Sequence, residues 1–563
     1  MKKIAYIICT LGLAFSLQSC DDFLDSFPQD KMTNDNFWKT SKDAEKLLVD
    51  LYASTIPKSN IFFDEAMSDN AYLCWEWWGG AQQVANGTYT TYDGVPGSKW
   101  SGCYEAIRKC WFLLEGIPKI EQISDEDKNR IMGETYFMLA YNYYQLTSYF
   151  GDVPLVTKTL TIPESKEVAR APKAEVVEYA INKLKEAVRM LDGLSQENGR
   201  ITADACQCLI ARIYLYNGDF SNVLETVKTL DGKYQLYTAG NTPYEDLFSG
   251  AVEQNCEVIL SSSCDKKIGE VSISHSGNGM MLLKGMSGGD PYTAVYPTGA
   301  LIDAYPMVDG RLIHETGSTY DAKNSYKDRD PRFYQSVVYP TSNIKTLDAA
   351  SNTIVEKFYD PEDSIRTIPL QRYNASEPSR TGYMWNKYID YSVYAMTNVW
   401  DCTNDIIIFR YADVLLMKAE ALVQTKGTEA KQAVCDLIDQ LRDRCKGGRV
   451  HRENYNTTDE LMTLVKNERR IELANEGLRF FDIIRWKDAE KNPAETGLGL
   501  SGETYGAYMR LDGIGKKDRT VEIDGVPRRY IETRHFNASK GYLFPVPQKE
   551  RDLNPSLTQN PNW

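Results

Sequence analysis

The stretch that decides the fold is Ser124-Asp-Glu-Asp-Lys-Asn-Arg-Ile-Met-Gly-Glu-Thr-Tyr-Phe-Met-Leu-Ala-Tyr-Asn-Tyr-Tyr-Gln-Leu-Thr-Ser-Tyr-Phe-Gly-Asp-Val-Pro154. Ser124-Asp125-Glu126-Asp127 has the form of a capping-box-like helix start. Met138, Tyr141, Tyr144 and Gln145 then recur on adjoining turns, and Gly151-Asp152-Val153-Pro154 supplies a stop. The spacing predicts one long helix ending at about Tyr149.

Helical signals continue on both sides. Ser41 to Ser54 is amphipathic through Leu47, Leu48 and Leu51, and Trp100 to Ile117 follows. Pro172 opens a helix to about Leu191, and Thr202 to Tyr216 forms another, ended by Asn217-Gly218-Asp219. Further on, helices are predicted over Phe409 to Gln424 and Thr428 to Cys445, and Thr457-x-x-Glu460 caps one through about Glu476. Helix pairs joined by short turns resemble tetratricopeptide hairpins, although no clean ~34-residue consensus repeats.

Between about Leu236 and Trp400 the helical period breaks. Six glycines fall from Gly277 to Gly299, and only short strand-like runs such as Cys256 to Ser261 occur. Long ordered loops in compact proteins usually carry function. The predicted fold class is mainly α: a tetratricopeptide-like helical scaffold (about 41–235 and 405–490) with a large loop-rich insertion carrying short strands (about 236–404). A loop-like C-terminal segment (491–563) completes a single domain spanning 41–563.

Ahead of it, Lys2 and Lys3 precede a mostly apolar run from Ile4 to Leu17, too short to cross a ~30 Å hydrocarbon core comfortably. Leu17-Gln18-Ser19-Cys20 resembles a bacterial lipobox. Residues 1–19 therefore read as a lipoprotein signal peptide, Cys20 as the lipidated residue, and 20–40 as a tether; more than one acyl chain gives a stable anchor.

The chain has 563 residues, 42% of them hydrophobic and 25% charged, and a net charge of −14. Loss of Lys2 and Lys3 with the signal makes it −16. So acidic a chain, without a dense Lys/Arg block, has no general attraction for phosphate backbones, which speaks against nucleic acid as a partner. Neither paired C-x-x-C spacing nor H-E-x-x-H is present, so no metal site and no cofactor is predicted. Export permits disulfides, and Cys103/Cys110 or Cys206/Cys208 come into question, but the latter two point to different faces of a helix. Most of the cysteines read as small buried residues.

From Tyr72 to Trp100 there are seven aromatics in 29 residues, over twice the chain's 11% average, including four of its ten tryptophans. Gly79-Gly80, Gly87, Asp93-Gly94 and Pro96-Gly97 mark the segment as loop. Flat indole faces stack on the apolar faces of pyranose rings, while amides and carboxylates bind the hydroxyls. Trp75, Trp77, Trp78, Tyr89 and Tyr92 are thus candidate glycan contacts, with Asp69, Asn70, Gln82 and Gln83 as nearby polar groups. Tyr292, Tyr296, Trp385 and Trp400 offer a second wall. The alternative is a buried minicluster that holds the loop down. In an extended segment only one set of Trp75/Trp77 and Trp78 would face the ligand.

Two enzyme-like patterns are weak. Gly285-Met-Ser287-Gly-Gly289 fits G-x-S-x-G, but Gly288-Gly289-Asp290-Pro291 is poor helix material. Gly497-Leu-Gly499-Leu-Ser-Gly502 fits G-x-G-x-x-G without a preceding strand and reads as a loop. Glu468, Glu472 and Glu476 share one helix face, with Arg469, Arg470 and Arg479 as available partners; a structural ion-pair network fits them better than acid–base chemistry.

Several motifs together resemble the SusD/RagB family of outer-membrane lipoproteins. They are Cys20-Asp-Asp-Phe-Leu-Asp25, Ala140-Tyr-x-Tyr-Tyr-x-Leu146 leading to Tyr149-Phe-Gly-Asp-Val-Pro-Leu155, and Asp405 to Ala421. Glu468-Arg-Arg-Ile-Glu-Leu473, Gly477-Leu-Arg-Phe-Phe-Asp482, Arg485-Trp486 and Leu543-Phe-Pro-Val-Pro547 follow in order, with Asn554-Pro and Gln559-Asn-Pro at the end. The resemblance implies a non-catalytic, lipid-anchored protein on the outer face of the outer membrane. It would capture oligosaccharides or polysaccharides and deliver them to a TonB-dependent, SusC-like transporter. In this family the acidic residues after the lipidated cysteine, here Asp21 and Asp22, go with surface display. A surface glycoside hydrolase, or a peptide- or glycoprotein-binding importer component, are the alternative readings; the first would need two carboxylates roughly 5–10 Å apart beside the aromatics.

Overall fold

The computed structural model describes residues 38–195, 199–264, 274–282, 291–292, 294–347, 353–358, 379–391, 399–507 and 519–563. Cys20, Asp21, Asp22 and Gly285–Gly289 lie outside them. The scaffold is built from α1 (Ser41–Thr55), α2 (Asn60–Ala66), α3 (Ala81–Asn86), α4 (Gly94–Gly116), α5 (Asp125–Phe150), α6 (Lys173–Leu191), α7 (Ala203–Tyr216) and α8 (Phe220–Val227). It resumes with α9 (Tyr411–Lys426), α10 (Lys431–Arg444), α11 (Thr458–Glu472) and α12 (Arg479–Arg485). Consecutive helices pack as hairpins: α4 on α5, α5 on α6, α6 on α7, α7 on α8 and α9 on α10. Contact of α8 with α9 joins the two halves across the intervening lobe.

The long helix α5 starts where the Ser124 hydroxyl accepts from the Asp127 amide (3.0 Å) and stops at Gly151, whose φ of 74° no β-carbon favours. Its tyrosines serve the core: Tyr141, Tyr143, Tyr144 and Tyr149 are all buried. The Tyr143 hydroxyl stays satisfied there by donating to the Val156 carbonyl at 2.7 Å.

The lobe carries short strands: β1 (Ala71–Leu73) with β3 (Val295–Pro297), β2 (Val258–Ser262) with β8 (Ile406–Arg410), β4 (Val337–Val338) with β7 (Met384–Trp385), and β5 (Asn343–Leu347) with β6 (Thr353–Lys357), all antiparallel. Three expectations need correction. The helix predicted from Phe409 begins at Tyr411, because the β-branched run Ile406–Ile408 extends along β2 instead. The α11 helix ends at Glu472 rather than Glu476, where Asn475 and Gly477 turn left-handed (φ 63° and 73°). The tail is not simply loop: β9 (Gly502–Tyr505), β10 (Thr520–Ile523) and β11 (Val526–Arg534) form a sheet, and Asp524-Gly525 makes a two-residue hairpin turn with positive φ at both positions.

The ten cysteines of the described residues are free thiols, seven of them buried. No helix among those residues is long and apolar enough to cross a membrane.

Buried ion pairs hold the two halves of the scaffold together. Asp413 of α9 accepts from Arg212 of α7 (2.8 Å) and from Arg469 of α11 (2.9 Å). Burial alone would raise the Asp413 pKa, but the two guanidiniums outweigh it and bring the carboxyl from 3.8 down to about 2. A depressed carboxyl contributes stability that is fully present above its unfolded value and is lost as pH falls through the folded one. Between pH 4 and pH 2 the pair is therefore expected to lose about 2 kcal/mol. Urea midpoints measured across that range should fall less steeply for Asp413→Asn; an identical slope would refute the assignment.

Candidate functional site

The site grows from the β1–β3 pair, in which Tyr72 lies opposite Tyr296. Past β1 the Cys74 amide donates to the Ala294 carbonyl, and the chain then turns, with the Trp78 amide donating to the Trp75 carbonyl (3.1 Å). The segment is not extended, so the alternation expected for Trp75, Trp77 and Trp78 does not operate. Gly79 is required at the end of the turn: its φ is 73°, and a β-carbon would come within 2.8 Å of the Phe63 ring.

This turn gathers five of the sequence-predicted residues. The Trp77 and Trp78 rings stack with centroids 6.1 Å apart and planes 19° from parallel. Trp75 lies 6.2 Å from Trp77, Tyr292 lies 5.4 Å from Trp78, and Trp400 lies 5.8 Å from Trp78 and 4.8 Å from Tyr292. The Trp75 indole N–H donates to the Tyr292 carbonyl (2.8 Å), tying the two walls together. Exposure is graded: Trp77 is 68% and Tyr292 44% exposed, while Trp75, Trp78 and Trp400 are half-buried beneath them. The result is an aromatic platform on a rigid base, with the Glu76 side chain at its edge in solvent.

The base comprises residues that composition did not single out. Gly279 packs flat against Trp400, where a β-carbon would approach to 2.3 Å, and its carbonyl accepts from the Tyr292 amide. Asn278 exchanges two hydrogen bonds with the Asp390 backbone, both 2.9 Å. The Asp390 carboxylate accepts from the Thr403 amide and hydroxyl. His275 pairs backbone to backbone with Cys402; burial pulls its imidazole down to about 4, so it stays neutral, hydrogen-bonded to Asn404. Glycines beside Trp400 and Tyr292 were the only sequence signal for this support.

The other predicted contacts lie elsewhere. Tyr296 and Trp385 are buried at 1% and 0% exposure, because their strands turn those side chains into the core. Tyr89 is covered by Trp563 and Phe544, with centroids 4.9 and 5.5 Å away. Tyr92 is exposed but sits beside the C-terminal segment, where the Gln548 amide donates to the Thr91 carbonyl. Asn70 is buried, donating to Glu65 (2.8 Å) and accepting from Arg470 (2.7 Å). Asp69 is buried too, taking Arg479 through both oxygens (2.8 and 2.9 Å) and the Gly499 amide (3.0 Å). Gln82 is buried, and the Gln83 amide donates to the Glu76 carbonyl. Asp69, Asn70 and Gln82 fasten the platform's foundations rather than face solvent. The G-x-G-x-x-G stretch is one of those fastenings: Gly499 abuts the Lys491 carbonyl where no β-carbon fits.

The Glu468/Glu472/Glu476 face is an ion-pair network, but with different partners from those expected. Glu468 pairs with Arg332 and Arg442, Glu472 with Arg332, Arg410 and Arg444, and Glu476 with Arg410 and Lys387. Arg469, Arg470 and Arg479 point away to Asp413, Asn70 and Asp69. Among the described residues no group of His, Cys, Asp and Glu side chains could hold a metal ion.

Comparison with known proteins places this architecture. The family model described as "SusD family" matches residues 256–563, more than half of the chain, and one described as "Starch-binding associating with outer membrane" matches residues 22–215. SusD-like protein P38 of Formosa agariphila is 25% identical over 520 residues, covering 87% of this chain and 93% of the relative. Among solved structures, a SusD-like carbohydrate binding protein of Bacteroides fragilis NCTC 9343 superposes with a TM-score of 0.76 at 25% identity, over 93% of this chain and 100% of that one. A laminarin binding SusD-like protein shares the fold, with a TM-score of 0.63 at 20% identity over 93% of this chain and 100% of that one. On its sequence match and its fold alike, the chain belongs to the SusD/RagB family.

Proposed function

We propose that the protein captures oligosaccharides or polysaccharides on the aromatic platform of Trp75, Trp77, Trp78, Tyr292 and Trp400. It does so at the outer membrane, tethered through Cys20, and passes them to a SusC-like TonB-dependent transporter without cleaving them. The observation that carries this reading is the 68% exposure of Trp77 on a stack whose lower rings are fixed. An indole that stays two-thirds in water although it stacks on Trp78 is a binding feature, and its flat face suits a pyranose ring. The solved relative named as carbohydrate binding and the family model described as starch-binding support the ligand class, and the outer-membrane wording of that model supports the location. Binding without hydrolysis is supported by the burial of Glu65 and Asp69, both occupied by hydrogen bonds, which leaves neither to act as the second carboxylate beside the exposed Glu76.

Trp77→Ala is expected to weaken binding of the cognate glycan by ~1–3 kcal/mol, about fivefold to hundredfold, with the thermal midpoint nearly unchanged because the rings beneath it keep their contacts with Phe63, Tyr292 and Trp400. Calorimetric titration against purified plant, host and microbial glycans would measure it. Wild-type affinity in Trp77→Ala would sink the platform assignment, and sugars released on incubation would sink the non-catalytic reading.

A further inference from the structure

Helix α2 has two sides. Phe63 meets Trp78 of the platform, whereas Asn60, Ile61 and Asp64 line a separate cleft between α1, α4, α5 and α7. The cleft encloses about 180 Å³. That is room for about six waters at ~30 Å³ each, or for one pyranose-sized group. Its mouth lies at the surface, at Ser54, Asn60, Ser98 and Gly102.

The floor is polar, and its side chains are largely buried with oxygens open to the cleft. Asp64, 7% exposed, accepts through Oδ1 from Lys99 Nζ (2.6 Å) and from the Tyr149 hydroxyl (3.4 Å). Its Oδ2 has no donor among the described residues. Asn142, 4% exposed, donates through Nδ2 to the Met138 carbonyl (2.8 Å) and the Thr55 hydroxyl (3.4 Å), while its Oδ1 likewise has no donor there. The Tyr141 hydroxyl accepts from Gln145 Nε2 (3.1 Å). Burial pushes that phenol up, so it keeps its proton and can donate it. Neither Asp64 Oδ2 nor Asn142 Oδ1 is sealed in the core; both residues line the cleft, so each oxygen is open to a hydrogen-bonding guest that displaces water.

The charge pattern selects the guest. Asp64 and Lys99 neutralise each other at 2.6 Å. The lining balances two carboxylates, Asp64 and Glu476, against two cations, Lys99 and Arg212, so neither an anion nor an ammonium would find an unopposed counter-charge. A neutral, hydroxyl-rich ring can donate to Asp64 and Asn142 and accept from Tyr141. Its apolar face can lie on the rings of Tyr144 and Phe481, which also line the cleft.

We propose that this cleft is a second binding site, for a single neutral sugar ring, with Asp64, Tyr141, Asn142 and Gln145 as its hydrogen-bonding set. It is separate from the platform and does not depend on what the platform binds. Gly102 provides the test. It lies in the middle of α4 at the mouth, and a β-carbon there meets nothing within 4 Å. Gly102→Phe can therefore lie across the opening without disturbing the floor, and Gly102→Ala leaves it clear.

The experiment is saturation-transfer NMR on the full chain in detergent with D-glucose, D-galactose, D-mannose and D-xylose, with D-glucosamine and D-glucuronate as charged probes. At least one neutral sugar is expected to give a signal that Gly102→Phe abolishes and that Gly102→Ala and Trp77→Ala retain. Gln145→Ala and Asp64→Asn should weaken it about tenfold. Absence of any neutral-sugar signal in the wild-type chain overturns the proposal. So does a signal that survives Gly102→Phe, one that vanishes with Trp77→Ala, or a preference for either charged probe. The platform reading stands or falls separately, on the polysaccharide titration of Trp77→Ala.

Discussion

Replacing Glu472 with alanine is expected to destabilise the folded chain by roughly 3–5 kcal/mol, since it strips the shared counter-charge from buried cations. Glu472 is fully buried and accepts from Arg410 (2.7 Å), Arg444 (2.6 Å) and Arg332 (2.8 Å). Burial alone would lift its pKa; Arg444, Arg410 and Arg332 reverse that and hold the carboxyl well below the ordinary range. Within the described residues the connected network balances five carboxylates (Glu257, Asp330, Glu468, Glu472, Glu476) against five cations (Arg332, Lys387, Arg410, Arg442, Arg444). Deleting one carboxylate leaves an uncompensated charge where water cannot reach it. A domain's stability is of order 5–15 kcal/mol, so the loss is a large part of the whole. Urea unfolding at pH 7 measures it. Glu472→Gln, which keeps the shape and drops the charge, should lie between wild type and alanine. A shift below about 1 kcal/mol for Glu472→Ala would mean that the network contributes orientation only.

What the sequence made legible was local. Ser124, Thr202 and Thr457 each place a side-chain oxygen on an amide three residues on, so the starts of α5, α7 and α11 could be read from neighbours in the chain. The Asp524-Gly525 hairpin was equally local, flanked by the alternating Val521, Ile523 and Val526, and a reading of the tail as loop passed over it. The site was legible only in part, for a different reason. Aromatic density shows that rings cluster but not which face water. Tyr292 and Tyr296 stand four residues apart, yet the first is 44% exposed and the second 1%, because β3 pairs with β1 and turns Tyr296 inward. Tyr89 is covered by Phe544 and Trp563, whose positions depend on the whole chain between. Polar residues next to the aromatics misled in the same way, their partners being about 400 positions distant.

Asp69 is the sharpest case, and its substitution separates an anchor from a ligand contact. It stands two residues before β1, which leads into Trp75–Trp78. It binds Arg479 bidentately, lies 3.3 Å from the Arg470 guanidinium and accepts from the Gly499 amide. Burial alone would raise its pKa, but Arg470 and Arg479 drive it far below the usual carboxylate range, so it is charged throughout the physiological span. Asp69→Ala leaves two buried guanidiniums without their carboxylate and is expected to cost roughly 3–5 kcal/mol; Asp69→Asn, retaining one acceptor oxygen, should cost less. Glycan affinity then discriminates the two roles. If Asp69 is an anchor, the folded fraction of Asp69→Asn, isolated at low temperature and titrated calorimetrically, binds glycan within a few-fold of wild type while its urea midpoint drops. Trp77→Ala gives the mirror image, with affinity lost and midpoint kept. An Asp69→Asn protein of wild-type stability that no longer binds would return Asp69 to the ligand site, and would require the loop around Gly499 to open when glycan arrives.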